Sequence, residues 1–176
     1  MGAKELRIVD EKQALLKLKK LKRQPLYLIL EDVYDTYNIG GLFRLADALA
    51  VEKVYLCGDM EIPPNSRIQK ASIGTYKVVP WEYRKTATEA ISELKKQGVK
   101  IVGVEQHARA QDYAKAKYSF PLALVVGNET AGVTPATLKL CDQIVEIPMW
   151  GINKSLNVIV SAAIVGYWVA CKIKSS

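Results

Sequence analysis

From Leu26 onward the chain alternates short apolar runs with longer amphipathic stretches, and this alternation restricts its possible folds more than any other feature. The runs lie at 26–31 (LYLILE), 53–57 (KVYLC), 77–80, 99–105 (VKIVGVE), 122–127 (LALVVG) and 143–147 (QIVEI). Several are almost continuously apolar, as strands buried on both faces must be. Helical patterns separate them at about 39–50, 86–97 and 134–140. The second of these turns Ala90, Ile91 and Leu94 inward and is stopped by Gly98. Strands interleaved with helices predict an α/β fold, a mostly parallel sheet covered by helices on both faces. The 176 residues are enough for one domain with a substantial core.

The two ends of the chain differ in character. Residues 155–171 form 17 positions without a charge, but they fall short of a membrane span and contain Ser155, Asn157, Ser161 and Gly166. They read as a buried helix, apolar around its whole circumference and therefore needing burial all round. One face can meet the sheet; Tyr167 and Trp168 need another partner, so a homodimer through this helix is expected. At the other end, residues 1–24 hold a net charge of +5 out of +7 for the whole chain. Leu15, Leu18 and Leu21 recur there at three-residue steps, giving a short basic helix that Pro25 ends. This divides the chain into a basic extension, 1–24, and a domain, 25–176. A basic arm suits a polyanion such as nucleic acid, or is simply a solvated helix face.

The remaining composition narrows the setting. Cys57, Cys141 and Cys171 are odd in number and lack metal or redox spacing, which suggests a reduced, intracellular protein with small buried thiols. The charged N-terminus lacks the apolar segment of a signal peptide, and the expected location is the cytoplasm, away from membranes.

Three segments put glycines or polar side chains at strand ends, where open α/β sheets bind ligands. In DTYNIGGLFRLAD (35–47), Asn38 can cap the following helix, Gly40 and Gly41 permit close approach, and Arg44 sits among apolar neighbours and so looks buried. In LVVGNETAGV (124–133), Gly127 gives a floor without a side chain, while Asn128 and Glu129 supply acceptors. In IPMWGINKSLNV (147–158), Pro148 and Gly151 build a turn and Ser155 suits an N-cap. Ile147, Met149 and Leu156 line an apolar slot there, and backbone N–H groups can hold an adenine edge. A plain capped helix accounts for all of this except Asn157, a poor residue inside a helix.

Other chemistries lack their parts. His107 is the sole histidine, with no nucleophile elbow near it, so a Ser-His-Asp mechanism is unsupported. No metal-ligand cluster is visible, and neither G-x-G-x-x-G nor a phosphate loop occurs.

In this order, N-I-G-G-L-F-R (38–44), V-G-N-E-T-A-G-V (126–133) and I-P-M-W-G-I-N-K-S-L-N-V (147–158) resemble the signature motifs of the SpoU/TrmH branch of the SPOUT methyltransferases. The resemblance covers residues 26–171. It implies S-adenosylmethionine as cofactor and methylation of ribose 2′-hydroxyls in tRNA or rRNA, with tRNA favoured because the extension is so short. It also implies a homodimer and a deep trefoil knot at the C-terminus, which no periodicity could suggest. Carried onto matching positions, it makes Arg44 the catalytic residue, supported by Asn38, Glu129, Ser155 and Asn157. Arg44 either takes the hydroxyl proton or, as an always-protonated guanidinium, binds the adjacent phosphate that accepts it. The cofactor is expected at Gly127, Ile147, Ser155 and Leu156, joined by Val104. Ala50 and Thr130 stand where many relatives have glycine. The alternative is an RNA-binding module of the same fold that has lost activity.

Overall fold

The computed structural model describes residues 20–173. Its backbone runs β1 (Gln24–Glu31), α1 (Thr36–Ala48), β2 (Val51–Cys57), α2 (Ser66–Ser72), a 3₁₀ turn (Thr75–Lys77), β3 (Trp81–Arg84), α3 (Ala87–Lys96), β4 (Lys100–Val104), β5 (Gln111–Asp112), β6 (Leu122–Val126), α4 (Pro135–Leu140), β7 (Gln143–Glu146) and α5 (Val158–Ile173). The strands form one sheet in the order β3-β2-β1-β6-β4-β7-β5, with parallel pairing throughout. The α/β fold with a parallel sheet is thus as expected.

Period-two alternation along β1 assigns its side chains to two cores. Leu26, Leu28 and Leu30 join the cluster that contains Ile39, Leu42 and Phe43 of α1 and Ala162, Val165 and Val169 of α5. Ile29 points the other way, to the cluster of Ala90, Ile91 and Leu94 from α3 and Leu138 from α4. Helices therefore cover both faces, with α1 and α5 on one and α3 and α4 on the other. Burial in the second core lifts the Cys57 thiol to about 12, so that cysteine stays protonated and inert.

Several expectations change. The third strand is Trp81–Arg84, not 77–80, because residues 75–77 wind into the 3₁₀ turn that precedes it. The first helix starts at Thr36 and is capped by Asp35, whose side chain accepts from Tyr37 N; Asn38 lies inside its first turn and is not the cap. That helix ends at Ala48, and Ala50 then adopts φ +48° to enter β2, which gives the physical reason a glycine suits this position. The helix expected within 11–23 falls almost wholly outside the described residues. Cys171 is exposed rather than buried.

The C-terminal helix is not buried all round within one chain. Val158, Ala162, Val165, Gly166 and Val169 face the core, while Val160 and Tyr167 are about half exposed. Trp168 finds an intrachain partner, an edge contact to Tyr113 with ring centroids 5.8 Å apart. Its indole nitrogen is nevertheless buried without a hydrogen-bond partner among the described residues. No helix among these residues is long and apolar enough to cross a membrane.

Candidate active site

The C-terminal ends of β4, β6 and β7, with the loops that leave them, enclose a cleft of about 590 Å³. That volume is typical of small-molecule sites. Val104, Gly127, Ile147, Ser155 and Leu156, the five residues expected at the cofactor, all line it, together with Glu129 and Asn157.

The wall after β6 is rigid for identifiable reasons. The chain folds back on itself with Asn128 N–H donating to Gly132 O at 3.1 Å and Gly132 N–H to Asn128 O at 2.9 Å. A β-carbon at Gly127 would lie 2.2 Å from the carbonyl carbon of Gly132, so only glycine allows the closure. The Asn128 side chain accepts from Thr130 N and Ala131 N at 2.8 Å and donates to Asp32 O at 2.8 Å, tying the loop to the end of β1. Glu105, at the end of β4, accepts from Val133 N at 2.8 Å and closes the other side.

A chain of side-chain hydrogen bonds links the three segments. Asn38 Nδ2 donates to Glu129 Oε1 at 2.9 Å, and Asn157 Nδ2 donates to Asn38 Oδ1 at 3.0 Å. The Glu129 carboxylate also accepts from Asp35 N at 3.2 Å and Tyr34 N at 3.3 Å. Burial pushes this carboxyl up, but these hydrogen bonds outweigh it and hold Glu129 below the usual carboxylate range. Asn157 is not a helix-interior residue: its Oδ1 accepts from Ile159 N at 2.9 Å, capping α5 from just outside. Its awkwardness in the sequence disappears, because one amide both caps the helix and reaches Asn38.

A sequence model of the SpoU rRNA methylase family matches residues 25–167. The chain belongs to the SpoU rRNA methylase family. The 23S rRNA (guanosine-2′-O-)-methyltransferase RlmB of Ralstonia nicotianae is 34% identical over 140 residues, covering 80% of this chain and 56% of that one. The chain thus spans a little over half the length of such relatives. Among solved structures, the TrmH/SpoU tRNA-modifying enzyme of A. aeolicus superposes with a TM-score of 0.80 at 27% identity, over 93% of this chain and 85% of that one. The AdoMet-bound rRNA methyltransferase of Sinorhizobium meliloti gives 0.79 at 26% identity, over 88% and 59%.

Within this SpoU-family fold, Asn38 is 7% exposed and stands behind the cleft wall, touching Glu129 and Asn157 without lining the cleft. Arg44 is different. Its apolar neighbours suggested burial, yet its own side chain is exposed on α1, outside the cleft lining, with no ion pair among the described residues. Sequence reasoning missed Glu105, Glu146 and Lys154 on the lining. With Glu129 these give three carboxylates to one ammonium, a balance that suits a cationic ligand and disfavours a polyphosphate. Another unforeseen carboxylate, buried Glu31, accepts from Thr134 N and Thr134 Oγ1 at 2.9 Å and from Thr137 Oγ1 at 2.5 Å, fixing the start of α4 beside the cleft. No sequence signal marked it.

Proposed function

We propose that this chain transfers a methyl group from S-adenosylmethionine to a ribose 2′-hydroxyl of structured RNA. The observation that carries the reading is the hydrogen-bonded chain Glu129–Asn38–Asn157 at the rim of an acidic, small-molecule-sized cleft at the strand ends. The names of the relatives support it, since they include rRNA guanosine 2′-O-methyltransferases and a tRNA-modifying enzyme. The relatives' names include both rRNA and tRNA enzymes, and of the two substrates we favour tRNA.

The lining fits the cofactor. Val104, Ile147, Met149 and Leu156 form an apolar slot for a purine ring, and Gly127 exposes backbone beside it. The carboxylates match the positive charge of a sulfonium. When bound, S-adenosylmethionine supplies an electrophilic methyl group and the main thermodynamic drive. The protein's part is to orient the acceptor and manage its proton. Ser155, exposed on the cleft rim, and Asn157, also on the lining, hydrogen-bond the acceptor ribose in this reading. Glu129, kept ionised, anchors Asn38 and through it the orientation of Asn157. Arg44 is available to a substrate phosphate, where its permanent charge steadies the oxygen as the hydroxyl loses its proton to that phosphate.

Two architectural expectations belong to the same reading. The half-exposed Val160 and Tyr167 of α5 favour a homodimer through this helix. After β7 the chain must return past β4 and β6 to lay α5 on α1 and β1, and we read segment 147–157 as threading the C-terminus into a trefoil knot. Titration calorimetry tests the cofactor assignment. S-adenosylmethionine should bind at one site per chain and ATP should give no heat; the reverse preference overturns the assignment.

A further inference from the structure

The cleft accounts for Glu129, Asn38 and Asn157, but not for two aromatic side chains held beside them. Tyr34 precedes α1 and Tyr37 lies in its first turn, and each is 57% exposed. Their backbones are fixed. Tyr34 N–H donates to Glu129 Oε2 at 3.3 Å, Asp35 N–H to Glu129 Oε1 at 3.2 Å, and Tyr37 N–H to Asp35 Oδ1 at 2.8 Å. The same carboxylate that organises the polar chain thus braces the segment carrying both rings.

The surroundings suit a polyanion. Arg44 lies two helical turns beyond Tyr37, on the same exposed side of α1. Helix α2 packs tightly on α1, since a β-carbon at Gly40 would come within 2.4 Å of Ala71 Cβ. Exposed Arg67 and Lys70 of α2 add two cations, and neither forms an ion pair among the described residues. An exposed apolar patch meant for a protein partner gains nothing from such unpaired cations. Single-stranded nucleic acid matches both parts, because bases stack on aromatic rings while phosphates take the charges.

We infer that Tyr34 and Tyr37 form a stacking platform for unpaired nucleotides flanking the methylated ribose of the RNA. This inference rests on the RNA methyltransferase reading and deepens it. Stacking places unstacked nucleotides next to the cleft without reading their hydrogen-bonding edges, so the platform tolerates different bases. It also separates tasks: the rings hold the bases, and Arg44 with the α2 cations holds the backbone.

The test compares three proteins, wild type, Tyr34→Ala/Tyr37→Ala and Tyr34→Phe/Tyr37→Phe. The probes are an eight-nucleotide single-stranded RNA of mixed sequence and an abasic strand of equal length, each followed by fluorescence anisotropy. The alanine pair should bind the RNA about tenfold or more weakly per ring removed, in line with the usual strength of base–aromatic stacking. The phenylalanine pair should match wild type, and the abasic strand should bind all three proteins equally. S-adenosylmethionine affinity should stay unchanged as a folding control. RNA binding by the alanine pair at wild-type strength overturns the inference, as does equal weakening toward the abasic strand. So does a change of oligomeric state in the alanine pair, which would mean that the rings cover a second copy of this chain. Wild-type protein that binds neither strand nor unfractionated tRNA refutes the RNA reading itself, a distinct outcome.

Discussion

The side-chain amide of Asn157 donates to the side-chain oxygen of Asn38 across 119 positions of sequence, at 3.0 Å. The bond joins the first turn of α1 to the start of α5, so two helices on one face of the sheet share a polar contact at the cleft. A double-mutant cycle with Asn38→Ala and Asn157→Ala should show coupling of about 1 kcal/mol in unfolding free energy, the usual net value of such a bond. Each single variant loses the shared bond and one more, Asn38→Ala its bond to Glu129 and Asn157→Ala the cap on Ile159 N, so each should cost roughly 1 kcal/mol beyond the coupling. Strict additivity in urea melts would show that the two residues act independently.

Glu129 should leave a signature in acid. Its folded pKa lies below the usual 4.5, so its contribution to stability is fully present above about that pH and is lost as pH falls through the lower, folded value. Glu129→Gln removes this dependence. Urea midpoints measured between pH 7 and pH 3 should fall less steeply for the variant than for wild type at the acid end. Parallel curves would mean that Asn38 and the backbone N–H groups do not favour the carboxylate.

In the proposed reaction Arg44 serves the chemistry and not the fold. Exposed and without an ion pair among the described residues, it can be truncated with little effect, within about 0.5 kcal/mol. Arg44→Ala should therefore keep its melting temperature and its S-adenosylmethionine affinity while losing methyl transfer. Substantial residual transfer would remove Arg44 from the reaction.

The basic residues before β1 are not equivalent. Arg23 reads in the sequence as one more cation of the basic arm, but its guanidinium donates to Val51 O at 2.9 Å and to Val78 O at 2.8 Å. Arg23→Ala should destabilise the fold by roughly 1–3 kcal/mol, the range for losing charged hydrogen bonds to backbone carbonyls. Neutralising exposed Lys20 and Lys22 should leave stability unchanged and lower the salt dependence of RNA binding, by roughly 0.7 in slope for each single-strand phosphate that is no longer neutralised. An unchanged slope would make the arm a solvated face.

What the sequence could reveal followed from how strongly each position is constrained. The central strands β1, β4 and β6 are buried on both faces, so their apolar runs stand out. Strand β3 lies at the sheet edge, and its alternating WEYR is half exposed; the weaker apolar run just before it drew the expected strand to 77–80. Helix α2 has seven residues, too few for a period, and only its Asn65 cap announces it. At the site, Gly127 was legible because close backbone approach demands glycine. Glu31 and Glu105 were not, since each is an ordinary strand-end glutamate whose partners lie far along the chain, Thr134 and Thr137 at 103 and 106 positions from Glu31 and Val133 N at 28 from Glu105. Arg44 looked buried because Leu42, Phe43, Leu45 and Ala46 are buried; its own position on the helix turns it outward.

The most direct measurement supplies tritiated-methyl S-adenosylmethionine and unfractionated tRNA and rRNA to the purified protein, then hydrolyses the RNA in alkali. Alkaline cleavage needs a free 2′-hydroxyl, so a ribose-methylated nucleotide stays attached to its 3′ neighbour. Label recovered in alkali-resistant dinucleotides, and absent with Arg44→Ala, is the expected result. Label in mononucleotides, which marks base methylation, or no transfer by wild-type protein that binds the cofactor, would contradict it.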